Sequence, residues 1–196
     1  MSKPTDKGRA FVARLETLVE REDRGALAAL RRGLGKPPGT VPEMCPLVEP
    51  WLSGDPDPWR DDPYYIVAAL FAFWHQGARA AAAEAGPPRS LGASERRLGF
   101  DEDGKWSEDR FKGVERRFVA LLNCHRDDLH VHLRHCVGLL RSKAIPVDWA
   151  QLLADIRGWD SPRRAVQRDW AKAFWRRPEV PAVADQPEAP AAVDAE

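Results

Sequence analysis

The sequence predicts an all-α fold, arranged as two small helical bundles packed in one elongated chain. Apolar residues recur every three or four positions in most segments, which is the period of a helix with one buried face. No segment sustains the alternation of apolar and polar residues that a half-buried strand requires. Eight Trp and a hydrophobic content of 43% supply enough large side chains for a core.

The first forty residues predict two helices followed by a stiff loop. Each helix carries apolar residues on one face, and Gly33 ends the second. The segment 33–42 contains three Pro and three Gly, which disfavour a helix and favour a fixed irregular connection. The apolar positions are Phe11, Leu15, Leu18 and Val19 in the first helix and Leu27 and Leu30 in the second.

Two further helices complete a first bundle, predicted over residues 1–95. They lie on either side of the proline-rich segment 55–63. A composition rich in Ala, Gly and Pro, with an abrupt change of charge sign, places the junction within 77–105 and a connecting loop or insertion at 96–110. The apolar positions are Met44, Leu47, Val48 and Trp51 in the short helix and Ile66, Val67, Leu70, Phe71 and Trp74 in the long one.

The second bundle, residues 111–178, contains four predicted helices. Asp127 or Asp128 can cap the second of them, and Ser161 followed by Pro162 predicts the start of the last. The four helices are marked by Phe111, Phe118, Leu121 and Leu122, by Leu129, Leu133, Cys136 and Leu140, by Asp148 as a cap and Gly158 as a stop, and by Val166, Trp170 and Phe174 before Pro178. Residues 179–196 have no large apolar residue beyond three Val, so a disordered acidic tail is predicted.

Charge is segregated along the chain, although Lys and Arg balance Asp and Glu at 30 each. Residues 111–178 carry 14 basic against seven acidic residues, whereas 179–196 add five acids and no base. A basic module attracts a polyanion because each neutralised phosphate releases condensed counterions. Nucleic acid is therefore the first partner to test.

The clearest basic pattern lies on the last predicted helix, where Arg164, Arg168, Lys172 and Arg176 follow one another at four-residue spacing. Like charges at this spacing repel by a few tenths of a kcal/mol per pair, and an anionic partner would offset this repulsion. The alternative is a solvated helix face offset by neighbouring Asp residues. The preceding helices add candidate nucleic-acid contacts at Arg116, Arg117, Arg126, Arg134, Arg141 and Lys143.

The loop after the second helix resembles a phosphate-binding loop only superficially. Pro37 and Pro38 follow Lys36 and have no amide hydrogen to donate to a phosphate. Arg31, Arg32 and Lys36 remain candidates as point charges toward a nucleic-acid backbone. Exposed charge at a helix end explains these three residues equally well.

The histidine cluster at 125–136 does not predict a metal centre. His130 and His132 lie about 200° apart on one helix, which leaves only His132 with His135 or Cys136 in suitable positions. No triad or carboxylate pair with catalytic spacing is present either. The sequence predicts no catalytic residue, metal, cofactor or small-molecule substrate, and a His-dependent metalloenzyme is the least favoured alternative.

The chain is predicted to be cytoplasmic, with no membrane partner. Its longest apolar stretch, residues 64–74, has 11 residues, well short of the ~20 that a membrane span needs. Three scattered Cys indicate reduced thiols. Core anchoring is the prediction for Trp51, Trp74, Trp149, Trp159 and Trp170, while Trp59, Trp106 and Trp175 are less constrained, and stacking platforms for bases are the alternative for the Trp residues.

A series of short motifs between residues 11 and 175 resembles the CasB family, the small subunits of the type I-E CRISPR Cascade complex. Their order and spacing carry the resemblance, while the tail, the insertion near 99–110 and the histidine cluster fall outside it. The motifs are Arg31-Arg32-Gly33, Pro37-Pro38-Gly39, Val48-Glu49-Pro50-Trp51, Ser90-Leu91-Gly92, Val114-Glu115-Arg116-Arg117-Phe118 with Leu121-Leu122, Leu133-Arg134, Val147-Asp148-Trp149 with Leu152-Leu153, Trp159, Val166-Gln167 and Trp170-Ala171.

The resemblance implies a two-part helical protein without catalytic activity, present as a pair of copies in a crRNA-guided surveillance complex. It implies as partners the crRNA–target DNA heteroduplex, the displaced DNA strand, other Cascade subunits and a second copy of the chain. A basic surface that helps to hold the R-loop would suit such a complex, because base pairing supplies the sequence specificity. The positions that match the family motifs are Arg31, Arg32, Arg116, Arg117 and Arg134. A scaffold whose basic patch meets acidic protein surfaces is the alternative.

Overall fold

The computed structural model describes residues 3–54, 57–76, 90–101 and 103–176 of the chain. Within these ranges the regular structure is helical, and the β contact is an isolated bridge between Phe100 and Trp106. The all-α prediction is confirmed. The predicted acidic tail, 179–196, lies outside the described residues. None of the described helices has the length and apolar character needed to span a bilayer.

Nine α-helices occur in the described part of the chain, joined by short 3-10 turns. The helices are α1 (Asp6–Glu20), α2 (Arg24–Arg31), α3 (Cys45–Val48), α4 (Asp62–Trp74), α5 (Leu91–Arg97), α6 (Glu108–Asn123), α7 (Leu129–Ser142), α8 (Trp149–Arg157) and α9 (Ala165–Phe174). The 3-10 turns are Pro42–Met44, Glu49–Trp51, Pro58–Arg60 and Arg126–Asp128.

Short polar side chains fix the start of several helices. The Thr5 hydroxyl accepts a hydrogen bond from the amide of Gly8 in the first turn of α1, and the Asp23 carboxylate accepts one from the amide of Ala26 in α2 at 2.9 Å. Asp148 caps α8 through the amide of Gln151, also at 2.9 Å, as the sequence predicts. Each such cap is worth about 1 kcal/mol, because it satisfies an amide that has no partner within the helix.

Helix α4 is the centre of the core. Its residues from Pro63 to Ala72 are all buried, and it packs against α2, α3, α7 and α8. Helix α1 packs against α2 and α8. Helices from both predicted bundles therefore contribute to one buried apolar cluster, while the predicted division at 1–95 and 111–178 stays a prediction.

Helices α5 and α9 pack in direct backbone contact. Gly92 permits this approach, because a Cβ atom at this position would lie 2.1 Å from the carbonyl oxygen of Trp170. The fully buried indole of Trp170 donates a hydrogen bond to Asp155 Oδ2 at 2.7 Å, and Gln151 donates to the other carboxylate oxygen at 2.8 Å. These bonds compensate the burial of a carboxyl group in α8.

The predicted start of the last helix is wrong. Helix α9 begins at Ala165, and Ser161 and Pro162 belong to a preceding turn in which the Arg164 amide donates to the Ser161 carbonyl at 2.7 Å. Arg164 adopts a left-handed conformation with φ of 48°, so the chain changes direction there. Helix α9 then ends at Phe174, before Pro178, which lies outside the described residues.

Two further predictions about local structure need correction. Neither Asp127 nor Asp128 caps α7 through its side chain; the His125 ring instead accepts the Asp127 amide at the start of the 3-10 turn. Burial of the tryptophans also differs in detail. Trp149, Trp159 and Trp170 are buried as predicted, but Trp51 and Trp74 are only half-buried, whereas Trp59 is buried beneath the Arg126 guanidinium, 5.4 Å from its ring centre.

Candidate nucleic-acid interface

The loop after α2 meets helix α7 at Arg134. Gly35 has φ of +73°, a left-handed conformation that glycine adopts without strain. A Cβ atom on Gly35 would lie 2.7 Å from an Arg134 guanidinium nitrogen, so the long side chain reaches directly to the loop backbone. This contact brings Arg134 to the loop that carries Arg32 and Lys36 and that follows Arg31, the last residue of α2.

These four cations, Arg31, Arg32, Lys36 and Arg134, form what we call the loop–α7 cluster. Three of them are exposed and Arg31 is half-buried. Glu43 accepts a hydrogen bond from Arg32, and both side chains stay largely in solvent. The pKa of Glu43 is lowered by a backbone hydrogen bond, by Arg32 and by the charge of Lys36. One carboxylate thus pairs within a cluster of four cations.

Helix α6 presents Arg116 and Arg117 to solvent. Arg116 lies on the side of the helix opposite the buried Phe118, and Arg117 lies at the edge of the packed face. The Arg117 Nε donates to the Gly113 carbonyl at 3.2 Å, and its positive charge partly offsets the rise that burial causes in the pKa of Glu95. Arg116 is therefore the better placed of the pair to meet an external anion.

The predicted basic stripe on the last helix is only partly continuous. Arg168 and Lys172 are exposed on α9, away from its buried face. Arg164 precedes the helix and donates a hydrogen bond to the Leu122 carbonyl near the end of α6. Arg176 follows the helix. Two of the four residues thus lie on a helix face that is free to approach a polyanion.

Two of the residues predicted to contact nucleic acid have partners within the protein. Arg126 pairs with Asp160 at 2.9 Å and covers the buried Trp59 ring. Arg141 donates to the carbonyl of Trp74 at 3.2 Å, at the end of α4, and lies over Phe73 at 5.0 Å. Their packing roles are sufficient to explain both residues. Lys143 is exposed just beyond α7.

The histidine cluster does not assemble into a metal centre in the described part of the chain, where no group of three or more His, Cys, Asp or Glu side chains could hold an ion. His130 lines a small cavity beneath the loop of the loop–α7 cluster, together with Met44 and Tyr65. His125 lies 3.3 Å from an oxygen of Asp127 at the surface.

One ionisable side chain is buried although no sequence pattern predicts its burial. Glu95 in α5 is 1% exposed, although Arg96 and Arg97 follow it directly, and its Oε1 has no hydrogen-bond partner. Burial raises the pKa of Glu95 to about 8, while the Cys136 thiol donates a hydrogen bond to it. This carboxyl group lies inside the packing of α5 against its neighbours and does not belong to the exposed basic surface.

The chain has related proteins of known family. Residues 26–175 match the family model described as CRISPR-associated protein Cse2. A CRISPR-associated protein Cse2 from Thermus thermophilus is 38% identical over 157 residues, which is 76% of this chain and 78% of the relative.

Solved structures agree with the family match. CasB from M. ruber superposes with a TM-score of 0.68 at 30% identity, covering 88% of this chain and 94% of that one. A chain of a structure described as a CRISPR RNA-guided surveillance complex, pre-nicking, gives a TM-score of 0.73 at 30% identity and covers 86% and 91%. The matched span contains every helix from α3 to α9 and the loop–α7 cluster. The chain therefore belongs to the Cse2 (CasB) family of CRISPR-associated proteins.

Proposed function

We propose that this chain is a non-catalytic small subunit of a crRNA-guided surveillance complex and binds the backbone of nucleic acid through its exposed basic side chains. Membership of the Cse2 family supports the assembly, since a similar chain occurs in a structure described as an RNA-guided surveillance complex. The observation that supports the binding role is the loop–α7 cluster, in which the Arg134 guanidinium reaches Gly35 in the loop after α2.

Backbone contacts are the chemistry that such a complex requires. Guide pairing supplies sequence recognition, and the exchange of one duplex for another is nearly balanced in free energy. Protein cations that hold the heteroduplex or the displaced strand then stabilise the R-loop without reading bases. Arg116, Arg168 and Lys172 extend this candidate surface, whereas Arg126 and Arg141 act within the fold.

Charge reversal in the loop–α7 cluster tests the proposal. Arg31→Glu with Arg134→Glu should weaken binding to DNA and lower the slope of log affinity against log salt by about one unit per lost phosphate contact. Arg21→Glu, at an exposed position just after α1, is the matched control. Equal affinity and slope in folded double variant and wild type would contradict the proposal.

A scaffold role without nucleic-acid contact is the second candidate. Arg32 pairs with Glu43 and Arg126 pairs with Asp160, so carboxylates already bind basic residues of this chain. An acidic protein surface could supply carboxylates of the same kind. Copurification with neighbouring subunits that survives nuclease treatment, combined with no DNA affinity of the isolated chain, would favour this alternative.

A further inference from the structure

The end of helix α9 carries an exposed indole whose orientation is fixed by the fold. Trp175 is 40% exposed, more than any other large hydrophobic residue described except Val119, which equals it. Its indole nitrogen donates to Glu115 Oε1 in α6 at 2.7 Å. A ring held by a hydrogen bond to a second helix loses little conformational freedom when something binds to it.

The packing of three phenylalanine rings determines which part of Trp175 is open. Phe174 is stacked between Phe118, at 4.1 Å and 18°, and Phe111, at 4.8 Å and 22°. Both faces of Phe174 are therefore covered, and Trp175, at 4.9 Å and 80°, contacts its edge. The same indole meets Phe118 at 63°. Phe174 and Phe118 thus cover part of the Trp175 ring, and 40% of the residue stays exposed beside them.

The other exposed tryptophan already has a cation over its ring. Trp106 is 36% exposed, but its ring contacts Phe100 at 5.1 Å and Phe111 at 4.5 Å. The Arg96 guanidinium lies over it at 5.4 Å. Trp106 thus serves local packing between α5 and α6, and it is the matched control for Trp175.

Basic side chains from two helices flank the open indole. Lys172 lies one turn before Trp175 in α9, and Arg116 and Lys112 lie on α6 beside Glu115 and one turn before it. All three are exposed, and the ion pairs found among the described residues involve none of them. Within one helical turn of the indole or of its partner Glu115, these three cations outnumber the one carboxylate, so positive charge is in excess there.

We propose that Trp175 is a stacking site for an unpaired nucleobase, with Arg116, Lys112 and Lys172 holding the adjacent phosphates. Every base offers a flat π surface, so stacking tolerates any sequence, and a single strand presents such surfaces whereas a duplex keeps its bases stacked on each other. This inference rests on the proposed function. It adds a preference for single-stranded over duplex nucleic acid to the proposed contacts with the phosphate backbone.

The test compares Trp175→Ala, Trp175→Phe and Trp106→Phe with the wild type, in the full chain. Binding to a fluorescent thymidine oligonucleotide and to a duplex of equal length is measured by anisotropy at several salt concentrations. Trp175→Ala should weaken single-strand binding by about 5- to 100-fold and leave duplex binding within about twofold. Trp175→Phe should retain most of the affinity, and Trp106→Phe should match the wild type.

The salt slope separates stacking from charge. Removal of an indole releases no counterion, so the Trp175→Ala slope should equal that of the wild type, whereas Lys172→Glu should reduce it by about one unit. Quenching of the tryptophan emission by the oligonucleotide should disappear in Trp175→Phe. Circular dichroism melts establish that each variant is folded.

Three results would overturn the proposal. Equal loss of single-strand and duplex affinity in Trp175→Ala would assign the residue to general packing. Unchanged single-strand affinity would refute the stacking site while the proposed function stands, and wild-type protein that binds no DNA would refute both. Loss of subunit copurification with intact DNA binding would assign the indole to a protein contact.

Discussion

The buried carboxyl group of Glu95 predicts that the protein becomes less stable as the pH rises through neutrality. Burial raises the pKa of Glu95 from 4.5 to about 8 in the folded chain, despite the opposing Cys136 hydrogen bond and Arg117 charge. The folded state therefore keeps a proton that the unfolded state has lost between these two pH values. The contribution of Glu95 to stability is complete below about pH 4.5, falls across that interval, and is lost above about pH 8.

The magnitude follows from the size of the pKa difference. At about 1.4 kcal/mol per pH unit, a shift from 4.5 to about 8 corresponds to at most about 5 kcal/mol. Between pH 5 and pH 8 the loss is about 3 kcal/mol, because part of the titration lies outside this window. A loss of that size is a large fraction of the ~5 to 15 kcal/mol by which domains are stable.

Glu95→Gln removes the titration and keeps the shape of the side chain. Urea unfolding at pH 5, 6, 7 and 8 should give a curve for Glu95→Gln that is flatter than that of the wild type by about 3 kcal/mol. Burial also raises the pKa of Asp155 and lowers the pKa of His75 to about 4, but both groups contribute equally to the two proteins and cancel in the difference. Glu22→Gln, at an exposed position just after α1, should follow the wild type. Parallel curves for Glu95→Gln and wild type would refute the reasoning.

Three other substitutions test the packing. Gly92→Ala should lower the free energy of unfolding by about 3 kcal/mol, because its Cβ would lie 2.1 Å from the Trp170 carbonyl oxygen. Gly25→Ala should not lower it, because its Cβ would meet the Asp23 carboxylate at an ordinary contact distance of 3.6 Å, and urea unfolding compares the two variants. Trp170→Phe should cost about 1 to 3 kcal/mol by leaving the buried Asp155 carboxyl without its indole donor, measured the same way. Arg141→Met should lower the melting temperature without changing DNA affinity, and weakened DNA binding in folded protein would contradict its structural assignment.

Helical periodicity predicts most of the fold, because each stripe of apolar residues has one way to face a core. Phe11, Leu15 and Leu18 are all buried in α1, as are Leu129, Leu133 and Leu140 in α7. The start of α9 escapes this logic. Ser161 followed by Pro162 is a local signal for the start of a helix, but tertiary contacts place the start at Ala165 instead. Arg164 donates a hydrogen bond to the Leu122 carbonyl, and the Gln167 side chain donates one to the Trp159 carbonyl at 2.9 Å.

The sequence predicts the candidate site only where helical spacing is enough to place a charged residue on an exposed face. Arg168 and Lys172 share an exposed helix face, as their spacing predicts. Arg134 and Arg141 look equivalent in the sequence, seven residues apart on one helix. The fold separates them, because the Trp74 carbonyl at the end of α4 accepts a hydrogen bond from Arg141, whereas the Arg134 guanidinium lies against Gly35 in the loop. The group that lies opposite an arginine depends on tertiary packing, and no local pattern encodes it.

The approach of Arg134 to Gly35, in the segment that carries Arg31, Arg32 and Lys36, has a cost when no anion is bound. Folding brings this fourth positive group to the other three, whereas in the unfolded chain it lies about a hundred residues away and repels them less. Any multivalent anion that binds among them thus acts as a ligand of the native state alone. The free protein should melt at a higher temperature in phosphate than in chloride of equal ionic strength.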